Sequence, residues 1–167
     1  INYGVTFSNR YTQELGLDWK GTYLLILDDL GVENIRLIAY WDDVERERDV
    51  YDFSDIEWQL REAERRDVNV IMTIGRKVPR WPECFEPAWW KQIEDEDLQN
   101  NEVYEYMKEA TLALKSYDSI VMWQVENEPF WKFGECDKLE YGVVKNEVKI
   151  VREADDKNRP ILVQDSG

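Results

Sequence analysis

Phe7-Ser8-Asn9-Arg10-Tyr11-Thr12-Gln13 decides between two folds, and it does so by holding no glycine. The stretch closes the first β-type run, Asn2 to Ser8. An open doubly wound sheet of flavodoxin type that binds a nucleotide wants a Gly-rich or Ser/Thr-rich phosphate loop at this point. Four more β-type runs follow, Asn34–Tyr40, Asn69–Gly75, Ile120–Glu126 and Ile161–Gln164. The middle three are nearly continuous in apolar and β-branched residues, the pattern of strands covered on both faces. Strand starts at 2, 34, 69, 120 and 161 lie 32, 35, 51 and 41 residues apart. An eight-unit barrel of about 250 residues allots about 31 to each unit. The first two spacings fit that figure, and the later two leave room for long βα loops. The expected fold is therefore α/β, a (β/α)8 TIM barrel truncated to about five β-strands and four helices.

Between the runs the apolar period turns helical. Ile56, Leu60 and Ala63 stand at i, i+4, i+7, as do Val103, Met107 and Ala110 with Leu114 beyond, and Val144, Val148 and Val151. Ser54 with Glu57 predicts a capping box at the start of the second helix. The acidic run Glu94-Asp95-Glu96-Asp97 lacks the glycine and spacing of a calcium loop and suits a solvated surface or the first turn of the third helix. No Gly/Ser-rich linker divides the chain. Residues 1–167 are expected to form the N-terminal portion of one barrel, from its first strand to its fifth, because neither end has a cap or closing element.

Composition narrows the chemistry. Lys and Arg number 21 against 36 Asp and Glu, a formal net charge of −15. That balance argues against nucleic acid and against an anionic membrane surface, and no apolar run reaches the roughly 20 residues of a spanning helix. The chain has no histidine, which removes Ser-His-Asp, Cys-His and His-bearing zinc sites together. Carboxylates are left to move protons, and no metal or cofactor is expected. Cys84 and Cys136 both fall in loops on the predicted active face, and bridged or free states are equally open. The compartment is unassigned, with the cell exterior preferred.

Ligands of parallel α/β folds sit at the C-terminal ends of the strands. Those ends carry Arg36 with Tyr40-Trp41, then Gly75-Arg76-Lys77-Val78-Pro79-Arg80-Trp81, then Glu126-Asn127-Glu128-Pro129, with Trp131 just beyond. Indole faces stack on the C–H face of a pyranose, and charged planar groups take paired hydrogen bonds from its hydroxyls. Two carboxylates where a dry strand leaves the sheet suit general acid chemistry, because desolvation and a like charge both raise a carboxyl pKa. Trp41, Trp81 and Trp131 are the candidate sugar platforms, while Trp58, Trp89 and Trp90 lie in or beside helical stretches and are expected to pack.

Asn127-Glu128-Pro129 at the end of the fourth strand resembles the signature of the clan A retaining glycoside hydrolases, which are (β/α)8 barrels. The resemblance implies Glu128 as general acid/base and Asn127 as hydrogen-bond partner of the sugar 2-hydroxyl. Arg36 is similar to the strand-two arginine that family 5 places beside its nucleophile. Trp41 to Phe53, with Glu45 and Tyr51-Asp52-Phe53, looks like the segment after strand two in the β-galactosidase families 35 and 42. Gln124-Val125-Glu126-Asn127-Glu128 also resembles family 35, whereas Pro129 is more like the cellulase-like family 5. Arg76, Trp81, Glu126 and Trp131 complete the expected substrate-binding set. The nucleophile of the clan lies on a seventh strand, absent from these residues, so the expectation is glycosidic hydrolysis by the whole barrel and an inactive fragment lacking its C-terminal half. Two other readings are a noncatalytic carbohydrate-binding barrel and an acidic interaction domain in which Glu126 and Glu128 are structural.

Overall fold

Alternation along β2 (Asn34–Ile38) sets the two faces of the sheet. Ile35 and Leu37 are buried in the main core against the helices, while Asn34 and Arg36 line a shallow depression on the opposite face. The computed structural model describes residues 3–165, so the expectations at Ile1, Asn2, Ser166 and Gly167 lie outside the described residues. Within them, β1 (Gly4–Thr6), β2, β3 (Asn69–Ile74), β4 (Ile120–Val125) and β5 (Ile161–Leu162) form one parallel sheet in the order of the sequence. An unbroken order winds each unit the same way, as a barrel does; a doubly wound sheet reverses at a switch point. The α/β barrel reading is correct, and within the described residues the strands run one to three residues shorter than the sequence runs.

Among the described residues six α-helices accompany the strands, where four were expected. α2 (Trp19–Asp28), α4 (Ser54–Glu64), α5 (Glu96–Leu114) and α6 (Tyr141–Ala154) cover the sheet. The extra two, α1 (Asn9–Glu14) and α3 (Trp41–Val44), are short turns inside the first two βα loops, too brief to show a hydrophobic period. The predicted stripes are buried: Ile56, Leu60 and Ala63 on α4, and Val103, Met107, Ala110 and Leu114 on α5. The capping box is not formed. Phe53 caps α4 without a side-chain bond, and Asp52 instead accepts the Ser54 N–H at 2.9 Å. Asp95 caps α5, accepting the Leu98 N–H at 3.0 Å, with Glu96 and Asp97 in its first turn where they meet the positive end of the dipole.

Met72, Ile74, Trp123 and Val125 fill the space between sheet and helices. The other face carries Arg36, Ile71, Gln124, Leu162 and Gln164 around an open depression of about 240 Å3. The strand-apolar pattern anticipated two covered faces; among the described residues the helix side is covered throughout and the other face only towards the strand ends, at Ile38, Thr73 and Gln124. No described helix is long and apolar enough to cross a membrane.

Candidate active site

The tip of β4 is built by a reversal of side-chain direction. Alternation would put Glu126 beside Gln124 on the open face, but Glu126 takes φ 60° and Glu128 φ 50°, both in the left-handed region. Glu126 is thereby fully buried. Its carboxylate accepts the backbone N–H of Arg76 at 3.0 Å and of Lys77 at 2.7 Å. Gly75, at φ 139°, makes room: a Cβ there would lie 2.5 Å from the Glu126 carboxyl carbon. From α6 the buried Glu147 faces the same carboxyl. Neither Glu147 oxygen meets an N–H or O–H donor among the described residues, and a proton shared with Glu126 would satisfy the pair. Burial pushes Glu126 up to about 7 against the pull of the Arg76 guanidinium and the two amides. Burial and the Glu126 charge raise Glu147 well above its ordinary range.

Lys77 ties this tip to the loop after β3. Its ammonium is fully buried and donates to the carbonyls of Glu128 at 2.9 Å and Trp131 at 2.7 Å, with a Glu83 carboxylate oxygen at 3.5 Å. The Lys77 carbonyl accepts the Asn127 N–H at 2.7 Å, and the Glu128 N–H donates to the Gln164 carbonyl at 2.9 Å. The backbone on both sides of Glu128 is therefore fixed. Its side chain is half-buried, and no hydrogen bond or ion pair among the described residues engages the carboxylate. Burial raises Glu83, Lys77 lowers it, and the nearby Glu128 charge raises it again.

A second network runs across the open face. Arg36 donates to Gln124 at 3.1 Å and to the Thr6 hydroxyl at 3.0 Å. Gln124 in turn donates to the Asn127 side-chain oxygen at 3.3 Å and to the Glu126 carbonyl at 2.9 Å. Burial and the neighbouring Arg80 guanidinium lower Arg36. Arg36, Asn127, Glu128 and Trp131 are thus brought to one end of the sheet through Gln124 and Lys77. Neither connector was picked out from sequence. For Gln124 the signal existed: it is a polar residue at an inward register between Trp123 and Val125. For Lys77 no pattern distinguished it from a surface lysine.

Three expected site residues are elsewhere. Trp41 is a core residue, fully buried, stacked on Tyr106 at 5.3 Å and edge-on to Trp89 and Trp90; its indole N–H is held by the buried Glu45 at 2.6 Å. It follows β2 directly, but the first turn of α3 swings it under the helical layer. Glu126 cannot touch a ligand from its sealed position. Arg76 lies with it on the helix side, its guanidinium 5.5 Å from the Trp90 ring. Trp58, Trp89 and Trp90 all pack against the core, as expected. Trp81 is 67% exposed on the loop after β3 and Trp131 is 55% exposed after β4. These two loops are joined by a disulfide between Cys84 and Cys136, which resolves the cysteine question. Among the described residues the only cluster of metal-type donors is Cys84, Glu86 and Cys136, and its sulfurs are bonded to each other.

No sequence-family model matches the chain, and no curated protein does. Solved structures match over nearly its whole length. GH5_18 from Streptomyces cattleya, solved with GlcNAc, aligns at TM-score 0.71 and 17% identity over 98% of this chain and 44% of its own. An exo-β-1,4-mannosidase from Opitutaceae bacterium strain TAV5 aligns at 0.73 and 17% over 92% of this chain and 30% of its own. Xylanase 10B from Thermotoga petrophila RKU-1, solved with xylobiose, aligns at 0.70 and 17% over 98% and 49%. The chain spans less than half the length of each. The likeness is one of fold, and in fold the chain matches part of the (β/α)8 barrels of clan A glycoside hydrolases.

Proposed function

We propose that this chain is the N-terminal half of a retaining β-glycosidase or β-glycanase barrel, with Glu128 as its general acid/base. One observation carries the reading: the Glu128 carboxylate stands unengaged at the C-terminal tip of β4 on a backbone that Lys77 and Gln164 hold from both sides. A general acid needs fixed placement and a free oxygen, and here both conditions hold at one residue. Asn127 is locked through its N–H and its side-chain oxygen, leaving the amide NH2 free to donate to a sugar hydroxyl.

In the proposed reaction Glu128 gives its proton to the departing glycosidic oxygen. A second carboxylate, about 5–5.5 Å away in a retaining enzyme, attacks the anomeric carbon and forms a glycosyl ester. Glu128, now ionised, takes a proton from water as that water displaces the ester. The second carboxylate is proposed to lie beyond residue 167, on the remainder of the barrel, so the 167 residues alone are proposed to be inactive. The exo-β-1,4-mannosidase among the structural neighbours supports a β-linked substrate. The disulfide fits an exported protein, since such bonds persist in oxidising compartments.

The test is Glu128→Gln in the full-length protein. Hydrolysis of β-glycosides with poor leaving groups should fall by about 10²–10⁴-fold, with oligosaccharide binding retained. Hydrolysis that survives the substitution overturns the assignment.

A further inference from the structure

An acid interrupts the apolar stripe of α6. Val144, Glu147 and Val151 are the residues this helix buries, at i, i+3 and i+7 on its inward face. An aliphatic side chain would fill the middle place at no penalty, whereas a buried carboxylate that meets no donor is strongly destabilising. The groups around Glu147 and Glu126 do not relieve it. From the loop after β3, Arg76 and the partly buried Glu86 face the pair, and from α5 so does Tyr106. Arg76 is one guanidinium among three carboxyls; its Nε meets no acceptor, and it lies 5.5 Å from the Trp90 ring. Lys91 stands 3.9 Å from Glu86. The Tyr106 hydroxyl donates its proton to the Ala39 carbonyl at 2.8 Å. The Arg76 and Lys77 amides are both taken by Glu126. A single proton between the two carboxyls supplies the missing donor, and burial favours keeping it: Glu126 is pushed up to about 7 and Glu147 well above its ordinary range.

From this pair, contacts run unbroken to the backbone of Glu128. Glu126 accepts the Lys77 N–H, and the Lys77 ammonium donates to the Glu128 carbonyl at 2.9 Å. The Lys77 carbonyl accepts the Asn127 N–H at 2.7 Å. These bonds brace the turn in which Glu126 and Glu128 hold φ 60° and 50°, conformations that persist at side-chain-bearing residues only where the surroundings over-determine them. The space is already tight, since a Cβ on Gly75 would lie 2.5 Å from the Glu126 carboxyl carbon. Two full charges there repel one another, and the carboxyl displaced from Glu147 is the one that braces the turn.

We infer that Glu147 is a positioning residue for Glu128: it acts through Glu126, and the proton held between their carboxyls keeps the left-handed turn at the β4 tip closed and the candidate acid in place. This role rests on the glycosidase reading and deepens it. Where the pair gives up its proton the turn loosens, so activity falls at alkaline pH for a reason separate from ionisation of the acid itself.

The experiment compares the full-length protein with its Glu147→Gln variant at about pH 6 and about pH 8.5. Glutamine leaves the pair with the one negative charge it carries when singly protonated, and it offers Glu126 an amide donor at every pH. The substrate is whichever of phenyl β-glucoside, β-mannoside and β-xyloside is cleaved fastest. Between the two pH values kcat should fall at least about tenfold further in the parent than in the variant, with KM moving little in either. Hydrogen exchange read by mass spectrometry, corrected for intrinsic rates, should show the segments around Lys77 and Glu128 losing protection at the higher pH in the parent only. Parent segments equally protected at both pH values overturn the inference without recourse to a variant. Coincident pH profiles of kcat in the two proteins overturn it as well, and if Glu128→Gln abolishes hydrolysis the catalytic reading then stands alone. If exchange separates the two proteins while hydrolysis survives Glu128→Gln, the catalytic reading falls and the hold of Glu147 on the β4 tip stands.

Discussion

Gly75 and Glu126 form a lock in which each residue is unintelligible without the other. The glycine is there because the carboxyl lies where a side chain would start, and Gly75→Ala should destabilise the protein by at least about 2 kcal/mol in denaturant unfolding. Burial pushes Glu126 from an ordinary value of 4.5 up to about 7 in the folded chain. Between those pH values the folded chain holds a proton that the unfolded chain has released. The stabilisation is therefore complete below about pH 4.5 and is lost as pH rises through about 7. Glu147→Gln removes the like charge and supplies an amide donor, so its melting temperature should exceed that of the parent at pH 8, with a flatter pH dependence of stability. Lower stability of the variant at pH 8 would refute the shared-proton account. Sequence reading found both Glu126 and Glu128, and found that desolvation would act on this strand end. It assigned the dry environment to the tip as a whole, because a left-handed turn at a non-glycine residue leaves no compositional trace. Burial followed the turn and fell on Glu126.

At the scale of elements, the long βα loops after β3 and β4 were legible as excess spacing, and they proved to carry most of the mouth. Their union was not legible, since two cysteines 52 residues apart have no metal spacing and no partner to choose between. In a chain-entropy account, closing a loop of that length stabilises the folded state by about 4 kcal/mol. Cys84→Ala with Cys136→Ala should lower stability by that order, read from the urea midpoint at unchanged slope. The helices that cover the sheet announced themselves by their stripes. Trp41 did not, because a one-turn helix directly after a strand can send a side chain either into the mouth or under the layer. The choice here follows from Tyr106 and Glu45, which are waiting beneath with a ring face and an acceptor.

For the whole molecule, the sequential sheet leaves β1 and β5 as edges and one face only partly covered, with Ile71 and Leu162 along it. Exposed parallel edges template pairing with other chains. The 167-residue chain on its own should associate, its sedimentation coefficient rising with concentration between micromolar and tens of micromolar; a monomer across that range would count against it. Strand order was legible from the spacing together with the glycine-free turn at Phe7–Gln13, which set the doubly wound sheet aside. Lys77 offers a way to follow this assembly from outside. A fully buried ammonium that donates to two carbonyls beside a carboxylate 3.5 Å away cannot attack an acylating reagent, so Lys77 should stay unlabelled while exposed lysines such as Lys132 and Lys149 react within minutes. Its modification, read by mass spectrometry, would then time the moment at which the mouth comes apart.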